Sequence, residues 1–514
     1  MINWQTRHEN PLIRFSILVE QKTVFFRLGM VLMFLMAGAV RLYHISEPGV
    51  LIDREYTSAI FARSFYFDHI DSVAHWRKEI ATITKENQPI LEPPITEYLV
   101  SLIYWALGSE QLWVSHVLTA LFWLVGGFFF YEMAKMVVSL KAAVIATIYY
   151  LFTPLSILVS RSFQPDALMM MLFLMSLYLI LSYYDQPTVS KLLLAGGVTG
   201  LGLLERPLIL FALMGAYTAL AIYRNRSWKF MFERDFILFM VVSLLPSILY
   251  YGYGIFIAGF LRWKVTSSFR PHLYLHREYW QGWANLAANG VDYPILLGAL
   301  LGLPTLRMGK PRFLLVGLWL GYIVFGLVFT MHIHTHNYYQ AQLIPIVALS
   351  FSSLVAVFLD HLGQLSNKWY WWLPVGATVL LIMFFDISEV RAKVGSQVFE
   401  SEQVAYEVGE IVNHSSHTVF VARYYGMPLQ YYGELAGMSW PKAIEYWLYR
   451  QPNERILTIE ERLNGLGFEP EYFVITDFTS FNNRHADLKV FLQEHCSLLV
   501  QNERYLIYDG YCSD

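Results

Sequence analysis

Residues 24–42 read VFFRLGMVLMFLMAGAVRL, and the chain soon continues Leu51-Ile52-Asp53-Arg54-Glu55-Tyr56. At 1.5 Å of rise per residue the first run is long enough, as a helix, to cross a hydrocarbon core of about 30 Å. The second puts two carboxylates, one residue apart, where such a helix gives way to water. That juxtaposition marks a membrane protein whose chemistry gathers at the ends of its spans. Asp53 also suits the N-cap of a following helix, so the bland reading stands beside the functional one.

The wider composition agrees. Of 514 residues, 56% are hydrophobic and 15% charged, against about 25% charged in ordinary soluble domains. No basic stripe interleaved with aromatics appears, which leaves nucleic acid without a binding surface. Arg7, Arg14, Lys22 and Arg27 precede or enter the first apolar run, which contains Ala37-Gly38-Ala39. This is formally a signal-peptide layout, but its charged region is long and many further spans follow, so an uncleaved first helix is expected.

Apolar windows place about eleven spans, at 24–42, 112–137, 140–159, 166–184, 191–204, 207–223, 235–259, 292–306, 313–331, 338–359 and 369–387. Glu205-Arg206-Pro207 interrupts the two short ones, and a hairpin turning at Pro207 is expected there. Lys135, Lys141, Arg224, Arg226, Lys229, Arg234, Arg307, Lys310 and Arg312 collect in alternate short loops. The positive-inside rule then puts the N-terminus in the cytoplasm. Loops 43–111, 160–165, 205, 260–291 and 332–337 share the other face, and so does the C-terminal tail.

Within loop 43–111, Glu55 to Phe67 reads as a helix lying in the membrane interface, and Asp71 to Lys85 as a second helix. Pro93-Pro94 opens Ile95 to Leu107, an apolar stretch too short to span comfortably. From 391 the composition becomes that of a soluble α/β domain of about 120 residues. Expected helices are 404–412, 457–466 (with a Thr458…Glu461 capping box) and 486–494. Expected strands are 418–422 and 471–477, with a closing hairpin at 497–501 and 504–508. Cys496 and Cys512 flank that hairpin, and a disulfide is expected on an oxidising face, free buried thiols being the alternative. Asn413-His414-Ser415 matches a glycosylation sequon, but so short a pattern carries little weight.

The loops assigned to one face hold Asp53 and Glu55, Arg161 and Asp166, Glu205 and Arg206, then Lys264, and finally His332, His334 and His336. Asp166 follows Pro165 and equally suits the first turn of a helix. Arg161 and Arg206 equally suit interfacial anchoring. The alternating histidines point one way in an extended segment and suggest a divalent metal at His334 and His336, although a polar loop explains them as well. Together these residues fit a lipid-phosphate substrate: apolar walls for its tail, cations for its phosphate, carboxylates for the reacting sugar.

An Asp-x-Glu cluster after the first helix resembles the polytopic glycosyltransferases of the C superfamily, in particular the branch of protein O-mannosyltransferases and aminoarabinose transferases. Pro93-Pro94 with Tyr98 matches further, as do Ser160-Arg161…Pro165-Asp166-Ala167-Leu168 and His336-Asn337-Tyr338-Tyr339…Leu343-Ile344-Pro345. The resemblance covers roughly residues 24–360. It implies inverting transfer of a sugar from a polyprenyl phosphate, of undecaprenyl or dolichyl type, to a lipid, glycan or protein acceptor outside the inner or plasma membrane. Asp53 would take the acceptor proton, while Glu55 and Asp166 would orient the acceptor or bind a divalent metal. No other cofactor is implied. Arg161, Arg206 and Lys264 are candidates for the phosphate, and Glu92 and Tyr339 count as substrate contacts. Several relatives carry Lys where this chain has Glu92, so another cation must serve or the headgroup sits differently. The alternatives are a secondary transporter, which calls for inverted repeats and mid-membrane charges, and a non-catalytic lipid-binding subunit.

Overall fold

Proline sets the joints of the helical bundle, because it cannot continue the hydrogen-bond ladder of the turn before it. The computed structural model describes residues 11–46, 52–365, 388, 399–441 and 457–512. The first helices are α1 (Pro11–Leu42), α2 (Ile52–Asp68), α3 (His75–Glu86), α4 (Ile95–Leu107) and α5 (Leu112–Val137). Next come α6 (Leu140–Phe152), α7 (Pro154–Arg161), α8 (Asp166–Asp185), α9 (Val189–Glu205), α10 (Leu210–Asn225) and α11 (Arg234–Gly252). The bundle closes with α12 (Arg262–Ser268), α13 (Arg277–Val291), α14 (Tyr293–Gly302), α15 (Lys310–Val328), α16 (Thr330–Ile333) and α17 (Leu343–Leu365). Pro154 bends α7 by 54° from α6, and α14, with Pro294 in its first turn, lies 89° from α13.

Among the described residues seven helices are long and apolar enough to cross a membrane, or nine if each bent pair is one span. The chain is a multi-pass membrane protein. The expected total of eleven differs for two reasons. The expected span 191–204 is α9, whose 17 residues fall short of a comfortable crossing, and 369–387 lies outside the described residues. The chain does break at Arg206-Pro207, where a 3-10 turn over Pro207–Ile209 follows α9. The simple hairpin gives way to wider packing: α9 lies against α8 and α11, and α10 packs mainly on α15. Gly215, Gly317 and Gly321 allow that last contact. A Cβ built on Gly215 would meet the Gly317 carbonyl oxygen at 2.2 Å, and one on Gly321 the Phe211 carbonyl oxygen at 2.3 Å. Small residues four apart let two apolar helices approach to backbone contact.

The C-terminal part contains α18 (Phe399–Ile411), β1 (Thr418–Val421), α19 (Met427–Tyr432), β2 (Gly437–Ser439), α20 (Ile459–Asn464), β3 (Tyr472–Ile475), α21 (Phe478–Asn483), α22 (Ala486–His495), β4 (Leu498–Gln501) and β5 (Leu506–Asp509). The strands form one sheet in the order β2-β1-β3-β5-β4, with β1 parallel to β2 and β3, and β5 antiparallel to β3 and β4. The capping box at Thr458 and Glu461 forms, and Cys496 is bonded to Cys512. The expected domain boundary at 390/391 lies outside the described residues.

Helix α2 turns its aromatic face into the protein: Tyr56, Phe61, Tyr66 and Phe67 are buried, and Tyr56, Tyr66 and Phe67 join a core completed by α4 and by Tyr431 of α19. An aromatic stripe reads the same whether it faces lipid or protein, so the sequence pattern did not reveal this packing. Arg63 fixes this junction. Its Nε donates to both carboxylate oxygens of Glu110 at 3.0 and 2.9 Å, its Nη1 donates to the Tyr431 carbonyl, and its guanidinium lies 4.0 Å over the Tyr431 ring. Arg77 pairs with Glu434, and the Gln88 amide donates to Gln430 at 3.2 Å. Removing one partner of a buried pair leaves the other charge uncompensated, at a cost on the order of 3–5 kcal/mol. Arg63→Ala is therefore expected to raise protease sensitivity and amide exchange over 399–441 well before the membrane helices melt. Unchanged exchange there would show that the junction does not hold the domain.

Candidate functional site

Where α2, α9, α11, α12 and the segment after α15 converge, they enclose a cavity of about 490 Å³, inside the range of small-ligand sites. Its lining mixes apolar side chains, among them Leu203, Leu208, Leu244, Ile255 and Phe329, with Arg54, Glu92, Arg206, Lys264, His332, His336, Tyr338 and Tyr339. Ile248 lines the cavity yet is 61% exposed, so the space opens sideways along α11.

The polar part of the lining is built from pairs. Arg206, at the break after α9, is ion-paired with Asp166, the first residue of α8. That position also lets the helix dipole stabilise the carboxylate, so the bland reading of Asp166 holds together with its pairing. The aromatic rings of Tyr338 and Tyr339 flank the Arg206 guanidinium at 5.4 and 5.6 Å. Asp166 Oδ1 has no hydrogen-bond partner among the described residues. Arg54 is ion-paired with Glu92, and its buried Nε also has none. Lys264 Nζ lies 3.1 Å from Nε2 of His332, and the Ser268 hydroxyl reaches the same nitrogen at 3.1 Å. Burial, then the Lys264 charge, push His332 down to about 2. Its imidazole is therefore neutral, and Nε2 accepts from the ammonium. Burial, with Arg206 and Arg54 adding and Glu92 opposing, lowers Lys264 to about 8.

Six of the residues singled out in the sequence thus meet in one cavity: Glu92, Arg206, Lys264, His332, His336 and Tyr339. Asp166 stands directly behind Arg206. Three others do not join them. Glu55 is fully buried, 2.9 Å from His116 Nε2 and accepting from the Phe163 amide at 3.4 Å. It fastens the start of α2 to α5 and to the turn before α8, which replaces the expected role in orienting an acceptor. His116 Nδ1 also faces an oxygen, the Ile45 carbonyl at 2.6 Å. Arg161 donates to the His44 carbonyl at 3.0 Å and is not among the described lining residues. His334 faces the Thr330 carbonyl at 2.7 Å and stands edge-on to Tyr279. It is not beside His336 in the lining, and no group of three or more potential metal donors forms among the described residues. The segment turns through α16 rather than running extended, so the alternation that suggested a metal does not align the rings. Asp53 is the second residue of α2, immediately before Arg54; its side chain lies outside the described residues.

Sequence reading gave no role to Arg54, passed over His116 and the buried acid Glu97, and placed Glu205 only as a loop residue. Ser58 donates to Glu97 at 2.7 Å, and Thr96 donates to Glu205 at 2.5 Å. A carboxylate inside the apolar stretch 95–107 was the available signal, because such a charge is costly unless it has a partner.

Comparison with known proteins follows the same outline. The family model described as dolichyl-phosphate-mannose-protein mannosyltransferase matches residues 91–251, a segment that runs from Leu91 beside Glu92 to Tyr251 and includes Asp166 and Arg206. None of the curated protein sequences matches. Among solved structures, ArnT from Cupriavidus metallidurans bound to undecaprenyl phosphate is similar with a TM-score of 0.59 and 12% identity, over 94% of this chain and 98% of that one. The archaeal oligosaccharyltransferase AglB from Archaeoglobus fulgidus, in complex with an inhibitory peptide and a dolichol-phosphate, is similar with a TM-score of 0.55 and 12% identity, over 92% of this chain and 73% of that one. The same organism's oligosaccharyltransferase in complex with Zn and sulfate gives 0.54 and 11% identity, over 93% and 73%. At such identities the likeness shows the fold: the chain is a multi-pass membrane protein with the architecture of the C-superfamily glycosyltransferases.

Proposed function

We propose that the chain is a membrane glycosyltransferase that moves a sugar from a polyprenyl phosphate to an acceptor hydroxyl, with inversion. The observation that carries this reading is the mixed lining of the cavity. Its apolar residues, and Ile248 exposed at its edge, suit the end of a polyprenyl tail, and Arg206 and Lys264 in the same lining suit its phosphate. Arginine and lysine at that depth bind phosphate through charge-assisted hydrogen bonds. The relatives in fold support the choice, since ArnT and AglB were solved with undecaprenyl phosphate and dolichol-phosphate. The lysine and arginine bias of the short loops supports an orientation with the site on the extracytoplasmic side and the C-terminal domain beside it.

In this reading the donor is a phosphodiester carrying one negative charge. The acceptor oxygen attacks the anomeric carbon, the bond from that carbon to the phosphate oxygen breaks, and the lipid leaves as a phosphate monoester. Asp53 takes the hydroxyl proton. A carboxylate with a pKa of about 4 is a weak base for a free hydroxyl. It suffices when the proton moves late, after attack on an oxocarbenium-like carbon has made the hydroxyl acidic. Arg206, held by Asp166 and the two tyrosines, and Lys264, held by His332, stabilise the charge that develops on the leaving phosphate. These fixed cations make a separate general acid unnecessary. The metal expectation at His334 and His336 finds no three-donor set among the described residues, and no step is routed through a metal.

Asp53→Asn is expected to abolish transfer while leaving binding of undecaprenyl phosphate within about twofold of the parent; full activity of that variant would sink the assignment. A pH dependence follows from Lys264. A bound anion favours its charged form, so affinity for the lipid phosphate is highest below about 8 and falls as pH rises through that value, lower than an ordinary lysine would give. Binding of undecaprenyl phosphate measured between pH 7 and 9 should weaken in the parent and stay nearly flat in Lys264→Arg. Equal slopes would remove Lys264 from the phosphate site.

A further inference from the structure

Among the described residues the cavity's lining holds one carboxylate among its cations, and the proposed reaction gives that carboxylate a task. Glu92 lines the cavity with Arg54, Arg206 and Lys264, its side chain only 11% exposed. It is ion-paired with Arg54, and its negative charge is felt by all three cations. The remaining titratable groups of the described lining are His332 and His336, from the segment after α15, with Tyr251, Tyr338 and Tyr339; Asp166 stands behind Arg206. The described lining therefore carries three positive charges and a single negative one placed among them.

Substrate and product differ in charge at this point. The donor is a phosphodiester with one negative charge at any pH above the strongly acidic range. The product is a phosphate monoester, whose second proton leaves near pH 6. Above that pH the balanced change is diester (charge −1) plus neutral acceptor giving glycoside, monoester (charge −2) and one proton, which passes from the hydroxyl to Asp53 and then to water. An anion-binding wall made only of cations would hold the dianionic product more tightly than the donor. Product would then occupy the site and limit turnover, as slow release does in many enzymes.

We propose that Glu92 is a specificity-determining residue that sets the cavity's preference for the monoanionic lipid phosphodiester over the dianionic monoester, so that the spent lipid is expelled. The inference rests on the transferase reading above. The carboxylate tolerates a single negative charge shared by Arg54, Arg206 and Lys264, and repels the second. Its pairing with Arg54 fixes it on the wall, so the discrimination costs no rearrangement. The same charge also disfavours free inorganic phosphate and other multiply charged anions.

The test uses the purified full-length protein in detergent and two probes, undecaprenyl phosphate and its methyl phosphodiester, at pH 5.0 and 7.3. At both values Lys264 is mainly protonated, and the ratio of the two affinities cancels its residual titration. The parent is expected to prefer the diester about tenfold at pH 7.3, the size of one repulsive contact near a partly shielded charge, with the preference collapsing at pH 5.0 where the monoester is singly charged. Glu92→Gln should bind the monoester about tenfold more tightly at pH 7.3 and lose the preference, while Glu92→Asp, which keeps the charge, should retain it. The same ratio in parent and Glu92→Gln overturns the inference and leaves the transferase reading intact. Loss of both lipids in Glu92→Gln also overturns it, by showing that the carboxylate builds the site instead of tuning it. A parent that binds neither probe removes the transferase reading and the inference together.

Discussion

A charge buried among membrane helices must be answered by another, and here Asp166 answers Arg206. The pair ties the first turn of α8 to the break between α9 and α10, two places that the chain connects only through a full pass of the bundle. Neither partner is affordable alone in such surroundings. Because Asp166 and the rings of Tyr338 and Tyr339 hold the guanidinium, Arg206 faces the cavity in one fixed direction. The break at Pro207 that looks like a defect in a span is what delivers this cation to the wall. The cavity's lining follows from it: apolar helix residues together with held cations.

The second support of the site comes from outside the bundle. Helix α2 carries Asp53 and Arg54 in its first turn, and is gripped further along by Arg63 bridging Glu110 and Tyr431. Its first turn is fastened by Glu55 to His116 and the Phe163 amide. A helix held at both places has little freedom to move its first residues, which is the requirement for placing a base against a bound sugar within a fraction of an ångström. The C-terminal domain, whatever else it contacts, contributes to that rigidity.

Much of this was legible in the sequence, and the misses have physical causes. The apolar runs, the short stretch Ile95–Leu107, the capping box at Thr458 and the Cys496–Cys512 bond were all readable from local pattern, because each depends on residues close in sequence or on a simple hairpin. The meeting of Glu92, Arg206, Lys264, His332, His336 and Tyr339 was legible only through loop-charge topology, which groups residues by face and not by distance. Glu55 and Arg161 were misjudged for that reason: both sit on the expected loops, yet Glu55 is paired with His116 and Arg161 with a backbone carbonyl. The histidine run failed because its spacing implies a shared direction only in extended backbone, and the chain turns there. Arg54 was visible but undervalued, since nothing local shows that Glu92 lies beside it. The transporter and non-catalytic alternatives find no support in the fold or in the proteins that share it.

The most direct test of the account is a structure of the protein with undecaprenyl phosphate bound, in a lipid nanodisc. The account predicts the phosphate between Arg206 and Lys264, the first isoprene units against Leu244 and Ile255, and the tail leaving the cavity past Ile248 on α11. A phosphate bound elsewhere on the chain, with this cavity filled by a small hydrophilic solute or by protein side chains, would contradict it.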